Sequence, residues 1–292
     1  MSKGADKPVK RRKYSKLGDT WRRLKKNKAA VIALFVIIFV VLVAIFADFI
    51  APHHYSQTNY SARYAPSSAE YPLGTDNLGR CTFSRLVYGA RQSLQLGVLA
   101  VAISVAFGIV IGAIAGYFGG WTDILIMRAM DIYQSIPMLL LCIVLAAMMG
   151  ANLRNAILAI GIAHIPLPAR MMRASILTVR EQEYVEAAKA INAGSARIIV
   201  GHIIPNAIAP LIVSTTMSIG MNILAGAMLS FIGLGAQPPI PEWGALVSDA
   251  RGVMREYGHL ALYPGLCIMI TVLSFSLLGD GLRDALDPRL KN

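Results

Sequence analysis

The sequence predicts an all-α membrane protein with six membrane-spanning helices. The chain has 292 residues, of which 55% are hydrophobic and only 15% are charged, and its mean hydropathy is +0.56. A soluble domain of this length has a smaller apolar share. The apolar residues lie in blocks long enough to cross about 30 Å of hydrocarbon, which requires roughly 20 helical residues. The composition therefore predicts one polytopic membrane domain.

The first 28 residues are predicted to be a basic cytoplasmic tail. They hold 12 of the 28 lysines and arginines, against two acids, Asp6 and Asp19. A basic flank ahead of a span sets orientation and attracts anionic lipid headgroups. The net charge of +12 therefore indicates a membrane surface and not nucleic acid. Residues 29–50 follow as the first span, an uncleaved anchor, because the apolar run is too long for a signal-peptide core.

Residues 51–91 are polar and are predicted to form an extracytoplasmic loop. Toward its end, Arg80, Arg85 and Arg91 alternate with apolar residues. Arginines at such positions can extend their charged ends to water while apolar neighbours bury. This pattern predicts an interfacial helix before the second span.

The second span, residues 92–117, carries small residues at every fourth position: Ala100, Ser104, Gly108, Gly112 and Gly116. Such a ridge allows a second helix to approach closely. The ridge predicts tight helix packing within the chain, and an interface with another subunit is the alternative.

The third and fourth spans are predicted at residues 121–149 and 155–172. Arg128 and Asp131 lie three residues apart near one end of the third span and could pair. The fourth span contains Pro166 and Pro168, which predict a kink or an unwound stretch. His164 in the same span could relay protons, but a packed or hydrogen-bonded histidine is the preferred interpretation because the spans offer it no carboxylate partner.

A polar helical stretch, residues 178–206, separates the fourth span from the fifth. Thr178 and Glu181 have the spacing of a capping box, which predicts a helix start. Asn192 and Gly194 tolerate a left-handed turn best, which predicts the helix end.

This first short helix has one predicted apolar face: Tyr184, Val185, Ala188 and Ile191. Ser195 can cap a second short helix that extends to Ile203. Pro205 then leads into the fifth span at residues 207–231, and the sixth span is predicted at residues 261–278.

The stretch 178–206 resembles the Glu-Ala-Ala cytoplasmic loop of the permease subunits of binding-protein-dependent ABC importers. Glu186, Ala187, Ala188 and Pro205 match that pattern. Asn192 stands where the family usually has Gly, which is a mild change because Asn also tolerates a positive φ.

Three further strings resemble the dipeptide, oligopeptide, glutathione and nickel branch of these permeases. They are LGTDNLGR at 73–80, LSFIGLGAQPPIPEWG at 229–244 and GDGLRDALDPRL at 279–290. The chain departs from the branch at Cys81, where Asp is usual, and near Gly226, where Glu is usual. The resemblance covers residues 29–292.

The resemblance implies the type I ABC importer permease fold, with residues 92–292 as a core five-helix domain. It implies a heterodimer with a similar permease, two ATP-binding subunits that hold ATP and Mg, and an extracytoplasmic solute-binding protein. This chain itself would carry no cofactor. The resemblance also assigns ATPase coupling to Glu183, Tyr184, Glu186, Ala187, Ala188, Asn192, Gly194 and Ser195.

The residues themselves argue against enzymatic chemistry. The sequence has no G-x-x-x-x-G-K-[ST] string for binding ATP phosphates, no H-E-x-x-H string and no G-x-S-x-G elbow. Neither catalytic nor metal-binding residues are predicted, since adjacent His53 and His54 rarely converge on one metal. The cysteines Cys81, Cys142 and Cys267 are too scattered for a disulfide framework.

The basic residues predict the orientation in the inner membrane. With both termini and the loop 178–206 inside, the inside segments hold 21 lysines and arginines and the outside segments hold 7. This asymmetry follows the positive-inside rule. Dipeptides or oligopeptides are the expected cargo, with glutathione and nickel chelates as alternatives. An ion-coupled secondary transporter acting alone is the rival class, but it would need a charged group near the midplane.

Overall fold

The computed structural model describes residues 16–286, and these residues fold into a bundle of helices. The predicted tail up to residue 15 and the end of the C-terminal string, residues 287–292, lie outside this description. The helices, in chain order, are α1 (Lys16–Leu24), α2 (Lys28–Ile45), α3 (Ala47–Ile50), α4 (Thr82–Phe118), α5 (Gly120–Ser135), α6 (Met138–Met149), α7 (Leu153–Ala163), α8 (Pro166–Val179), α9 (Glu183–Ala190), α10 (Ser195–Ile198), α11 (Ile204–Ala207), α12 (Ala209–Phe231), α13 (Trp243–Ala250) and α14 (His259–Leu286).

Six membrane spans are present if one bent helix pair is taken as a single span. Five segments are long and apolar enough to cross a membrane unaided: α2, α4, α7 with α8, α12 and α14. The helices α5 and α6 pass the same test only together, and they meet at an angle of 85°. The fold is thus all-α with the predicted number of spans.

The third span, predicted at residues 121–149, is interrupted in the structure. The helix stops at Ser135, and Ile136 takes an extended backbone conformation (ψ 124°) before Pro137. Proline disfavours the helical conformation of the residue before it and has no N–H to donate. Pro137 was therefore a visible signal for this break.

The second span is also longer than predicted, because α4 is one continuous helix of 37 residues from Thr82 to Phe118. The predicted interfacial helix is its first part and not a separate element. Gly89 does not interrupt it, since this residue lies against the backbone of Pro241 and the indole ring of Trp243. Packing on a neighbouring segment here outweighs the weak helix propensity of glycine.

The small residues of α4 form its contact with α8. Gly108 faces the ring of Pro168, Gly112 faces Ala169 and Met172, and Gly116 faces Ile176. A Cβ atom on Gly108 would lie 2.7 Å from the Pro168 ring, which is too close for any real contact. The ridge therefore packs within this chain, where it brings two spans to backbone-level contact.

The fourth span is interrupted where its prolines predict. Helix α7 ends at Ala163, with His164 as its C-cap, and α8 begins at Pro166. The Nδ1 atom of His164 lies 3.0 Å from the carbonyl oxygen of Ile160. This contact fits the interpretation of His164 as a hydrogen-bonded, packed residue.

A cluster of four charged residues, three of them buried and the fourth, Asp249, exposed, joins three segments at the end of the bundle that carries α13, here named the α13 end. Asp76 lies in the loop before α4 and contacts Arg80 (Nε to Oδ2, 2.6 Å) and Arg85. Arg85 and Arg80 also lie 3.2 and 3.6 Å from Asp249 of α13. Burial raises the pKa of the Asp76 carboxyl, but the guanidinium groups of Arg85 and Arg80 outweigh this effect and hold its pKa below its ordinary value.

A second buried contact fixes α13 to α4 beside this cluster. The carboxylate of Glu242 accepts hydrogen bonds from the hydroxyl of Ser93 (2.8 Å) and the backbone N–H of Ala245 (3.0 Å). The indole N–H of Trp243 donates to the Leu86 carbonyl oxygen at 3.0 Å. Two of the strings singled out in the sequence, 73–80 and 229–244, therefore meet in one structural unit.

The glycine ridge yields a stability prediction. Replacement Gly112→Leu should lower the stability of the folded protein by about 1–3 kcal/mol, because the new side chain collides with α8. The thermal unfolding midpoint of the detergent-purified protein measures this. Gly265→Leu in α14 is the matched control, since no heavy atom lies within 4 Å of a Cβ placed there. Equal midpoints for the two variants would show that the ridge contact does not stabilise the bundle.

Candidate functional site

The stretch between the fourth and fifth spans folds as two short helical segments at the end of the bundle opposite α13, here named the α9 end. Helix α9 is followed by a turn at residues 191–194 and then by α10, a π-helical turn (Ile199–Ile203) and α11. This is the helix–turn–helix arrangement that the sequence predicts. Its details differ at three positions.

The first difference is at the start of α9. Thr178 does not cap this helix but lies in the last turn of α8, where its hydroxyl donates to the Ala174 carbonyl oxygen at 3.4 Å. Gln182 is the residue before α9, and its side chain makes no capping hydrogen bond. A hydroxyl that bonds the carbonyl four residues back serves its own helix, so the capping-box prediction was wrong.

The end of α9 follows the prediction at Asn192 but not at Gly194. Asn192 has φ 57°, and its N–H donates to the Lys189 carbonyl oxygen, while the N–H of Ala193 donates to that of Ala188. These two bonds are those of a Schellman motif, in which the left-handed residue is usually Gly. Gly194 has φ −62° and no special conformation.

The third difference concerns Ser195, which was predicted to cap the second short helix. Ser195 is the first residue of α10, and Gly194 occupies the cap position without a side-chain hydrogen bond. The backbone N–H of Ile198 instead bonds the Gly194 carbonyl oxygen at 3.1 Å.

The inward face of α9 is narrower than predicted. Val185 and Ala188 are buried in a cluster with Met172 and Ile176 of α8. Tyr184 and Ile191, predicted on the same face, are 42% and 79% exposed. A helix of two turns lying on the bundle presents only its i and i+3 positions to it, and neighbours about 100° away remain outside.

Ala188 therefore does not offer its backbone to another protein. It is 7% exposed and fills the cluster beneath α9. The residues that α9 presents outward are different. Tyr184, Ala187 and Ile191 form an exposed apolar stripe at i, i+3 and i+7 spacing, here named the α9 stripe.

Charged residues occupy much of the remaining exposed surface of α9. Glu183 and Glu186 lie in the first turn of α9, where negative charge is favourable, and Lys189 lies in the last turn. All three are exposed. Within residues 16–286, no side-chain hydrogen bond or ion pair is described for them, so they remain available to a partner surface.

Arginines of α8 connect the α9 end to the neighbouring spans. The guanidinium of Arg173 contacts both carboxylate oxygens of Asp123 at 2.5 Å, and Arg170 lies 2.7 Å from Asp131. Asp131 also pairs with Arg128 at 3.6 Å, as the sequence predicts. The pairs between α5 and α8 were not predicted.

Two models of known protein families match the chain. The family model described as binding-protein-dependent transport system inner membrane component matches residues 108–292. A second model, the N-terminal TM domain of oligopeptide transport permease C, matches residues 15–66.

Curated relatives match over nearly the full length. The chain is 46% identical to the dipeptide transport system permease protein DppC of Alkalihalophilus pseudofirmus, over 94% of this chain and 90% of that protein. It is 42% identical to DppC of Haemophilus influenzae, over 98% and 99% of the two chains. It is also 42% identical to the glutathione transport system permease protein GsiD of Pectobacterium atrosepticum, over 93% and 91%.

Solved structures share the fold at low sequence identity. The inward-facing MetNI methionine ABC transporter aligns with a TM-score of 0.58 at 18% identity, over 70% of this chain and 98% of that chain. A chain of an amino acid ABC transporter aligns with a TM-score of 0.51, also at 18% identity, over 68% and 92%.

The turn after α9 yields a prediction. Asn192→Val should loosen residues 183–203, because a β-branched residue is strained at this positive φ, at a cost of about 1–2 kcal/mol. Faster amide hydrogen exchange in α9 of the purified protein is the expected result. Asn192→Gly is the control and should leave exchange unchanged or slower. Wild-type exchange in the valine variant would show that the left-handed turn does not hold α9 in place.

Proposed function

The chain belongs to the family of binding-protein-dependent transport system inner membrane components, and on this basis we propose that it is one of two membrane subunits of an ATP-driven importer of short peptides. The second membrane subunit is a similar permease. Two ATP-binding subunits dock at the α9 end and carry the ATP and Mg²⁺. A solute-binding protein delivers cargo at the α13 end.

The observation that carries the coupling part of this proposal is that α9 is buried on one side and exposed on the other. Its inner side, Val185 and Ala188, packs with Ile176 of α8 and with Ile203 and Ala207, which lead into α12. Its outer side presents the α9 stripe to solvent. A partner that grips the stripe can therefore move the ends of two spans at once.

This arrangement supports alternating access driven by ATP. When ATP draws the two ATP-binding subunits together, their surfaces carry both α9 helices with them. Helices α8 and α12 follow, because the cluster under α9 is close-packed and transmits displacement. The path between the two permeases then opens toward the binding protein. After hydrolysis the motion reverses and releases cargo inside.

The orientation proposed for the chain has both termini and α9 in the cytoplasm. It rests on the 21 basic residues of the inside segments against 7 outside. The α13 end, with residues 51–81, then faces the exterior. This places the α9 stripe where ATP is available.

Short peptides are the proposed cargo because the relatives with high identity over nearly the whole chain are named for dipeptide and for glutathione transport. Dipeptides and oligopeptides are the first choice, and glutathione or a nickel chelate is the alternative. An ion-coupled transporter acting alone is disfavoured. This class needs a charged group near the midplane. Asp123 and Asp131, the two acids of the third span, instead pair with Arg173 and Arg170 toward the α9 end.

The α9 stripe predicts the outcome of a coupling experiment. Ala187→Trp adds a large ring to the exposed stripe, so it should reduce peptide-stimulated ATP hydrolysis of the reconstituted transporter at least tenfold while the permease still inserts. Lys189→Trp, on the opposite flank of the same helix, is the matched control and should have a smaller effect. Ala188→Trp is unsuitable, because it would overpack the interior. Full activity and full assembly of the Ala187 variant would exclude the stripe as the docking surface.

The orientation predicts the accessibility of engineered cysteines. A membrane-impermeant thiol reagent added to intact cells should modify Ser67→Cys and spare Ser195→Cys, since both residues are exposed and lie at opposite ends of the bundle. Permeabilised cells provide the control, in which both should react. Labelling of position 195 in intact cells would invert the proposed topology.

A further inference from the structure

Two neighbouring spans are interrupted side by side. The third span breaks at Ile136 and Pro137, where the backbone is extended, and the fourth has a short turn at His164 and Ile165, where the backbone stays in the helical region. The hydroxyl of Tyr133 in α5 donates to the carbonyl oxygen of Ile162 in α7 at 3.1 Å, which joins the two breaks. Non-helical backbone at membrane depth is tolerated where it lines a polar cavity or is buried in protein. The extended backbone at Ile136 therefore points to a cavity used by something polar.

A cavity of about 450 Å³ lies between these breaks and α12. Its volume is within the range of small-molecule sites, about 300–1,000 Å³. Gln134, His164 and Ser218 are among the polar residues that line it, and Met138 and Met221 contribute flexible apolar side chains. The cavity is open to its surroundings, as expected for a recess in the wall of a passage.

The lining is polar but uncharged. No Asp, Glu, Lys or Arg side chain contributes to it. Within the described residues, the side chains of Gln134 and Ser218 have no hydrogen-bond partner, and only Nδ1 of His164 is engaged, by Ile160. Gln134 is exposed and Ser218 is half-buried, so their donors and acceptors are accessible to a ligand in the cavity.

We propose that this cavity is a contact site for the backbone amide groups of a short peptide on its way through the membrane. This inference rests on the proposed function. Gln134, His164 and Ser218 exchange hydrogen bonds with the N–H and C=O groups that every peptide carries. Met138 and Met221 adapt to side chains of different shape, as methionines do at promiscuous surfaces.

A lining without charged side chains is expected where a peptide passes through the cavity and is not held tightly in it. A buried carboxylate or ammonium group would hold one terminus of the peptide firmly. Neutral hydrogen-bonding groups bind weakly enough for the cargo to leave, which conduction requires. Discrimination between peptides by their side chains is then left to other components of the transporter. The polar groups of the membrane path recognise only the peptide backbone.

The complete transporter, with its binding protein, reconstituted in proteoliposomes, provides the test. Import of a radiolabelled dipeptide and ATP hydrolysis are measured together, and each value is normalised to assembled transporter. Gln134→Met and Ser218→Ala remove hydrogen-bonding groups with little change in shape. Each should lower the number of peptides imported per ATP by about threefold to tenfold, which corresponds to one lost hydrogen bond. ATP hydrolysis itself should persist.

Thr216→Val is the matched control on the same helix. The Thr216 hydroxyl bonds the Ile212 carbonyl oxygen of its own helix at 3.1 Å and does not line the cavity. Wild-type import per ATP in both test variants, or an equal loss in Thr216→Val, would overturn the inference while the proposed function stands. Failure of the wild-type transporter to import any short peptide, with import of another cargo, would instead overturn the proposed function.

Discussion

The close approach of α4 to α8 is the contact on which the rest of the bundle depends. In a bilayer, helices gain little from hiding apolar surface, so they associate through close packing and hydrogen bonds. Three glycines of α4, Gly108, Gly112 and Gly116, bring its backbone against α8 over more than two turns. Because α4 also contacts α2, α5, α7 and α12, this one helix sets the positions of most of the others.

The same contact explains where the bundle can bend. Helix α4 is unbroken over 37 residues, and a Cβ atom on Gly116 would lie only 3.0 Å from Ile176 of α8. Sliding of α4 along α8 would require the two backbones to separate. The interruptions at Ile136 and His164 lie outside residues 168–176, the part of α8 that contacts the glycines of α4. Motion that enters through α9 is therefore expected to be absorbed at these interruptions, while α4 and α8 move as one unit.

Sequence periodicity predicted the features that depend on local spacing. It predicted the number of spans and the glycine ridge, and the residue types alone predicted the interruption near Pro166 and the left-handed turn at Asn192. It did not predict the burial of Ala188 together with the exposure of Ile191, because the tilt of a short helix on its support depends on distant residues. The contacts of Arg85 with Asp249 and of Arg173 with Asp123 join residues 164 and 50 positions apart, a separation that spacing rules cannot bridge. Among these unpredicted features, only the break at Pro137 has a local signal in the sequence, which is the proline itself.

The charged cluster at the α13 end has a consequence for acid tolerance. A carboxyl whose pKa is lower in the folded protein contributes stability that is fully present above its unfolded pKa, ordinarily 3.8 for Asp76, and is lost as the pH falls through the folded value. The cluster thus keeps both arginines paired with an ionised Asp76 across neutral and mildly acidic surroundings. A histidine in the same role would lose or gain charge near neutrality. The loop that carries Asp76 is in this way insulated from changes in acidity over that range, and its shape stays constant.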